Sequence, residues 1–197
     1  ALVIAAAGND GTETPYYPAS LNYVISDGGT DSKDVKFDIP SGPSSTYGTF
    51  LDICAPGAYI YSSTVPSNFG AVNSGTSYSS PILAGCAAIV KSKFPNYTGI
   101  QVGMQLKVTA YNIDTVAGNE LFKNKLGTGR VDLFKAITDT SKPWVGIIKH
   151  TFSDGGDGLF TTGETISIEG TFKNYLASTA GTVYVRLDSI NDKITIL

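Results

Sequence analysis

Residues 75–81 read Gly-Thr-Ser-Tyr-Ser-Ser-Pro and run directly into Ile82-Leu83-Ala84-Gly85-Cys86-Ala87-Ala88-Ile89-Val90, a stretch made almost wholly of small apolar residues. Few backbones satisfy both halves. Glycine admits a sharp turn at 75, and proline is expected in the first helical turn, where its missing N–H loses no hydrogen bond. A helix with small apolar residues on every side accepts neighbours from every direction. The segment from about Ser77 to Lys93 is therefore predicted to run through a domain interior. Ser77 then sits at the helix N-terminus, where unpaired N–H groups and the positive end of the helix dipole favour developing negative charge. That is a setting for a nucleophilic hydroxyl.

The rest of the chain supplies alternating strands and turns. Ala1-Leu2-Val3-Ile4-Ala5-Ala6-Ala7 is a continuous apolar run of the kind that forms a strand covered on both faces of a parallel sheet. Gly8-Asn9-Asp10-Gly11 is turn chemistry, and Tyr23-Val24-Ile25-Ser26 is a second strand. Residues 27–48, rich in Gly, Asp, Ser and Pro, read as surface loop with one short strand near Val35-Lys36-Phe37. Phe50–Cys54 and Ala58–Ser62 are predicted strands separated by an Ala55-Pro56-Gly57 turn. Phe94-Pro95-Asn96 stops the long helix. Thr98 and Gln101 form a capping pattern for the next one, with Val102, Leu106 and Val108 as its apolar stripe. Gly127-Thr128-Gly129-Arg130-Val131-Asp132 turns into a short last helix.

These segments together resemble the subtilisin-like serine proteases, the subtilases. In that family Gly-Thr-Ser-x-x-x-Pro carries the reactive serine, an asparagine ends an Ala-Ala-Gly-Asn strand, and the catalytic domain closes on a Gly-x-Gly-x-Val-(Asp/Asn) turn and helix. Ser77, Ala6-Ala7-Gly8-Asn9 and Gly127–Asp132 match in that order, over about residues 1–138. The resemblance implies an α/β fold, a subtilisin-like parallel sheet with flanking helices, here as a partial domain over residues 1–140. Past Ser141-Lys142-Pro143 the pattern changes. Thr165–Phe172 and Thr182–Leu187 alternate polar and apolar residues, as half-buried antiparallel strands do, and Ile194–Leu197 is also strand-like. Residues 141–197 are thus expected to begin a β-sandwich module, which needs on the order of 100 residues when complete.

By this resemblance Ser77 is the nucleophile, and Asn9 joins the Ser77 backbone N–H in an oxyanion hole. Read without it, Ser77 is a helix cap and Asn9 a turn residue before Asp10-Gly11. Gly8, Tyr16, Gly75 and Thr76 are implied in the substrate cleft. Tyr16 stands in Tyr16-Tyr17-Pro18 where the family often has glycine, so its ring is expected to shorten the P1 pocket, unless it turns to the surface. A serine needs a base, and the one histidine, His150, follows Ser77 instead of preceding it. Neither the aspartate segment nor the His-Gly-Thr-His segment of the family occurs before Ser77. The chain is therefore expected to be the C-terminal half of a catalytic domain, inert alone.

Composition narrows the partners. Net charge is −3 and charged residues make up 16%, with no basic stripe for phosphates, so nucleic acid is not an expected partner. No apolar run approaches the roughly 20 residues of a membrane helix. Abundant Gly, Tyr, Ser and Thr suit a secreted or cell-surface protein. Cys54 and Cys86 lie among small or apolar neighbours and read as buried thiols. Asp154-Gly155-Gly156-Asp157-Gly158 with Glu164 reads either as part of a Ca²⁺ loop or as a plain Asp-Gly turn; no cofactor is otherwise required. Two functions compete: a serine endopeptidase acting on polypeptides through an acyl-enzyme, and a non-catalytic binding or adhesion protein on a degenerate protease scaffold. Half a parallel sheet is also expected to be prone to self-association.

Overall fold

The computed structural model describes residues 1–64, 68–178 and 181. Its centre is a three-stranded parallel sheet in the order β1 (Val3–Ala6), β2 (Val24–Thr30), β3 (Ile53–Pro56). Val3 pairs with Val24, and Ala6 with Asp27; Asp27 in turn pairs with Ile53. One face is covered by α1 (Thr76–Lys93) and α2 (Gly99–Val108), with α3 (Leu133–Thr138) closing the end. Ile25, Ile53 and Ala55 from the sheet meet Leu83, Cys86, Ala87 and Val90 from α1, and Val102 and Leu106 from α2. Leu83 and Leu106 are at most 1% exposed, and burying each side chain stabilises the fold by about 1.5–3 kcal/mol. The other face packs Cys54 and Leu51 against Ala7, Ile113 and Leu126.

α2 starts as its sequence predicts: Thr98 accepts the Gln101 N–H, and the Gln101 side chain accepts the Thr98 N–H. Asp132 caps α3 by accepting the Lys135 N–H at 2.9 Å.

Several expectations need correction. β2 does not stop at Ser26 but continues through Asp27-Gly28-Gly29-Thr30, all buried, so residues 27–48 are not simply surface loop. The two glycines make room there. A Cβ on Gly29 would lie 2.1 Å from the Phe37 ring, which closes over the strand. Val35–Phe37 forms only an isolated bridge, Lys36 to Thr30. Ala55 and Pro56 are the end of β3, not a turn, with proline in a terminal strand position it tolerates. The next strand, β4 (Ile60–Thr64), pairs with an unforeseen β5 (Asn68–Asn73).

The helix differs too. α1 begins at Thr76, so Pro81 lies inside it, beyond the first turn, and the Ser77 carbonyl loses its i+4 N–H partner. Nor is α1 enclosed among the described residues. Leu83, Cys86, Ala87 and Val90 are buried, but Ala84, Gly85, Ala88 and Ile89 are exposed.

Past residue 144 the chain forms an antiparallel hairpin, β6 (Val145–Ser153) with β7 (Ser167–Asn174). β7 forms over most of the predicted Thr165–Phe172 strand, but it is exposed on both faces except at Asn174 instead of half-buried, since nothing among the described residues packs onto it there, and β6 is a strand not foreseen in the sequence. The predicted strands at Thr182–Leu187 and Ile194–Leu197 lie outside the described residues.

Candidate active site

The chain leaves β1 at its C-terminal end through Gly8 and Asn9, and α1 starts at the same end of the sheet. Gly8 has φ +113°, a conformation that L side chains rarely adopt, and a Cβ there would come within 3.1 Å of both Thr46 and the Tyr16 ring. Thr76, fully buried, ties the two ends together. Its N–H donates to Asn9 Oδ1 at 2.8 Å, and its hydroxyl accepts the Gly8 N–H at 3.2 Å. That hydroxyl lies 3.1 Å from Asn9 Oδ1 and 3.2 Å from the Gly8 carbonyl, so its one proton is shared between them.

With Oδ1 so engaged, the Asn9 carboxamide has a fixed sense. Its Nδ2 makes no hydrogen bond among the described residues and keeps both N–H groups free to donate. Gly75, the N-cap of α1, faces this amide: a Cβ on it would sit 3.6 Å from both Asn9 side-chain heteroatoms. Gly75 is itself pinned by its N–H to the Gly57 carbonyl at 2.8 Å. Ser77 follows Thr76 in the first turn of α1 and is exposed. It is not the helix cap, since that position belongs to Gly75, which makes no side-chain capping bond.

Gly8, Asn9, Tyr16, Gly75 and Thr76 are thus brought together around the start of α1. Tyr16 flanks Gly8 with its ring and donates its hydroxyl to Asp10, and this bond to a carboxylate raises the phenol's pKa. The ring remains 42% exposed, so it borders the site without being sealed under it. His150 is not in this group. It sits on β6 opposite Gly170, with its ring 5.4 Å from that of Phe152.

Below the first turn of α1 lies a residue whose role the amino-acid pattern alone does not reveal. Asp27 of β2 is fully buried, with Oδ2 3.4 Å from Ser80 Oγ and Oδ1 without a partner. Burial, against weaker help from the Ser79 and Ser80 hydroxyls, pushes its carboxyl well above the usual range. The available signal was phase: Asp27 is two residues from Ile25 and so shares its core-facing side.

The family model of the subtilases matches residues 1–132. The chain belongs to the subtilase family. Among curated subtilase relatives, thermitase from Thermoactinomyces vulgaris is 35% identical over 136 residues, 69% of this chain and 44% of thermitase. Alkaline elastase YaB from Bacillus sp. (strain YaB) is 40% identical over 112 residues, 57% of this chain and 28% of its own length. Among solved structures, the prenylagaramide maturation protease PagA superposes with a TM-score of 0.59 at 28% identity, covering 70% of this chain and 49% of that one. This subtilase chain spans less than half the length of the curated relatives named here. The parallel sheet with flanking helices is the architecture it shares with them.

Subtilases commonly bind calcium, but the loop after β6 does not suit the ion. Asp154 already accepts the N–H groups of Gly156 and Gly158, Asp157 that of Leu159, and Glu164 that of Thr161. These are Asp-Gly turn bonds, and Ca²⁺ takes six to eight oxygens. Among the described residues no three His, Cys, Asp or Glu side chains cluster as a metal site. Both cysteines are free and buried. No helix is long and apolar enough to cross a membrane among the described residues.

Proposed function

We propose that this chain carries the nucleophile and oxyanion hole of a serine endopeptidase that hydrolyses polypeptides through an acyl-enzyme. The observation that supports this reading is the Asn9–Thr76 bond, which engages the acceptor end of the Asn9 amide against the residue that precedes the exposed Ser77. Ser77 Oγ attacks the scissile carbonyl, its proton passes to a histidine, and the carbonyl oxygen becomes an anion held by Asn9 Nδ2–H and the Ser77 N–H. Collapse expels the amine, which takes the proton from that histidine, and water repeats the sequence to release the acid. His150, packed against Phe152 on the β6–β7 hairpin, has no part in it. The base is supplied by polypeptide outside these 197 residues. The apolar side of α1 at Ala84, Gly85, Ala88 and Ile89 favours a domain larger than this chain, and it is also where copies of the chain would self-associate.

In the same reading Gly8, Gly75 and Thr76 shape the cleft, and Tyr16 limits the P1 pocket to small or medium side chains. The catalytic portion spans residues 1–140, and residues 141–197 begin a β-sandwich module. The protein acts outside the cell or on its surface, without a required cofactor; calcium, if bound, acts structurally. Digestion of casein by the parent enzyme and by its Ser77→Ala variant tests the function. Hydrolysis by the parent alone supports it, and equal hydrolysis by both overturns it. The 197-residue chain is expected to be inert.

A further inference from the structure

Beyond Ala7 the chain leaves the sheet, and the backbone around Asn9 is held from one side by a strip of loop, residues 44–46. The Ala7 N–H still donates to the Asp27 carbonyl of β2 at 2.9 Å. After it, the Thr46 N–H donates to the Gly8 carbonyl at 3.0 Å, the Ser44 N–H to the Asn9 carbonyl at 3.0 Å, and the Gly11 N–H to the Ser44 carbonyl at 2.9 Å. The Ser44 side chain is seated against Gly11, where a Cβ would fall 2.7 Å from its Oγ. Asn9 is thus fixed twice, its amide by Thr76 and its main chain by Ser44.

The strip is fastened by a buried lysine. Lys36 is 4% exposed, and its Nζ donates to Ser44 Oγ at 2.8 Å, to the Ser45 carbonyl at 3.2 Å and to the Phe37 carbonyl at 3.4 Å. Three acceptors match the three N–H bonds of an ammonium; a neutral amine would turn its lone pair on one of them. No carboxylate lies within ion-pair distance of it among the described residues. The rings of Phe122 and Tyr47 face the charge instead, with centroids at 4.8 and 5.5 Å. Burial pulls the lysine's pKa down, and the negative charge of Asp38 partly restores it. Lys36 is itself anchored: its backbone N–H donates at 2.9 Å to Asn119, which is fully buried and donates in turn to the carbonyls of Asp34 and Ile113.

An unpaired cation out of water is costly, and an apolar side chain would fill the same space without that cost. What the cation adds is a grip on the strip beside Asn9. We infer that Lys36 is a positioning residue of the oxyanion hole: its ammonium clamps Ser44 and Ser45, and Ser44 sets where the Asn9 main chain, and with it the Asn9 amide, stands. Being buried, Lys36 touches no substrate and acts through Asn9. The inference rests on the proposed function, in which Asn9 Nδ2–H holds the oxyanion.

In the parent enzyme Lys36→Met keeps the reach of the side chain and removes its charge and all three donors. Misplacing a catalytic group by about 1 Å can cost about 10² in rate, so kcat should fall about 10- to 100-fold with KM little changed. Fluorophosphonate labelling counts the competent active sites, so the loss is read per folded molecule. In an Asn9→Ala background the same substitution should lower kcat less than about twofold, because the group it positions is gone. A loss by the same factor in both backgrounds, or an unchanged kcat in Lys36→Met, overturns the inference.

If Lys36→Met does not fold, Ser44→Ala carries the test, since it removes only the hydroxyl that the ammonium grips. A several-fold fall in kcat that disappears in the Asn9→Ala background supports the clamp; equal factors in the two backgrounds, or no fall, overturn it. Full activity of Ser77→Ala, or an Asn9→Ala enzyme with unchanged kcat, marks the failure of the serine protease reading itself, and the inference falls with it.

Discussion

Asn9 Oδ1 accepts the Thr76 N–H at 2.8 Å across 67 positions of sequence. The bond joins the exit of the first strand to the entry of the first helix. It uses the acceptor end of the amide and leaves the donor end without a hydrogen bond among the described residues, next to the segment that carries the exposed Ser77. Asn9→Ala should retain the fold and lower kcat in the parent enzyme while changing KM little. The size expected, about 10²–10³ in kcat, is the one measured for the equivalent asparagine of a subtilisin. Steady-state kinetics with a peptide substrate checks it; a matching rise in KM would mean that Asn9 binds the ground state instead.

Thr76→Val keeps the shape and removes the hydroxyl that meets Gly8 and Asn9. The Gly8 N–H is then left without its acceptor, which costs about 1–3 kcal/mol. Urea denaturation of the parent should show the midpoint falling with an unchanged slope. An unchanged midpoint would mean that this latch adds nothing to the fold.

The buried Asp27 sets a pH dependence of stability. An unfolded aspartate titrates near 4, and burial raises the folded value well above that. Between the two the native state holds a proton that the unfolded chain has released, so stability falls as pH rises. The contribution is fully present below the unfolded pKa and is lost as pH climbs through the folded one. Asp27→Asn should flatten that slope, as read from thermal midpoints in buffers of increasing pH. An identical slope in the variant would exclude Asp27 as its source.

Gly129→Ala tests how the last turn is built. Its φ of +112° is unfavourable to alanine, and a Cβ would fall 2.0 Å from the Tyr111 carbonyl oxygen. That backbone cannot yield without breaking the bridges that tie Arg130 to Tyr111 and Cys54. A loss of about 3 kcal/mol or more is expected by chemical denaturation.

Tyr16→Gly should widen the cleft beside Gly8. The kcat/KM ratio of Phe over Ala at P1 should rise about tenfold or more, on the scale of differences in apolar pocket volume. A wild-type preference for Phe would already contradict the reading.

Much of this was legible because it is local chemistry. Thr98 and Gln101 announce a capping box, and Gly127–Asp132 the turn into the last helix; the small residues of α1 announce a helix, though not one enclosed on every side. Gly8, Asn9, Gly75 and Thr76 could be grouped only through the family resemblance, since a bond between positions 9 and 76 leaves no trace in periodicity. What sequence hid was tertiary. Gly28-Gly29-Thr30 has turn composition but forms the end of a buried strand, because the Phe37 ring needs the space that glycine leaves. Pro81 falls deeper in the helix than expected, since the cap is Gly75 and not a later residue. Asp27, next to that stretch, has the polarity of a loop residue, and its alternation with Ile25 is the one sequence sign of its burial.

The central claim concerns one hydroxyl. Treating the parent enzyme with a fluorophosphonate and mapping the adduct by mass spectrometry tests it most directly. A single phosphonyl group on Ser77, with none on the 197-residue chain under the same conditions, is the predicted result. An adduct on another residue, or labelling of the parent that survives Ser77→Ala, would contradict it.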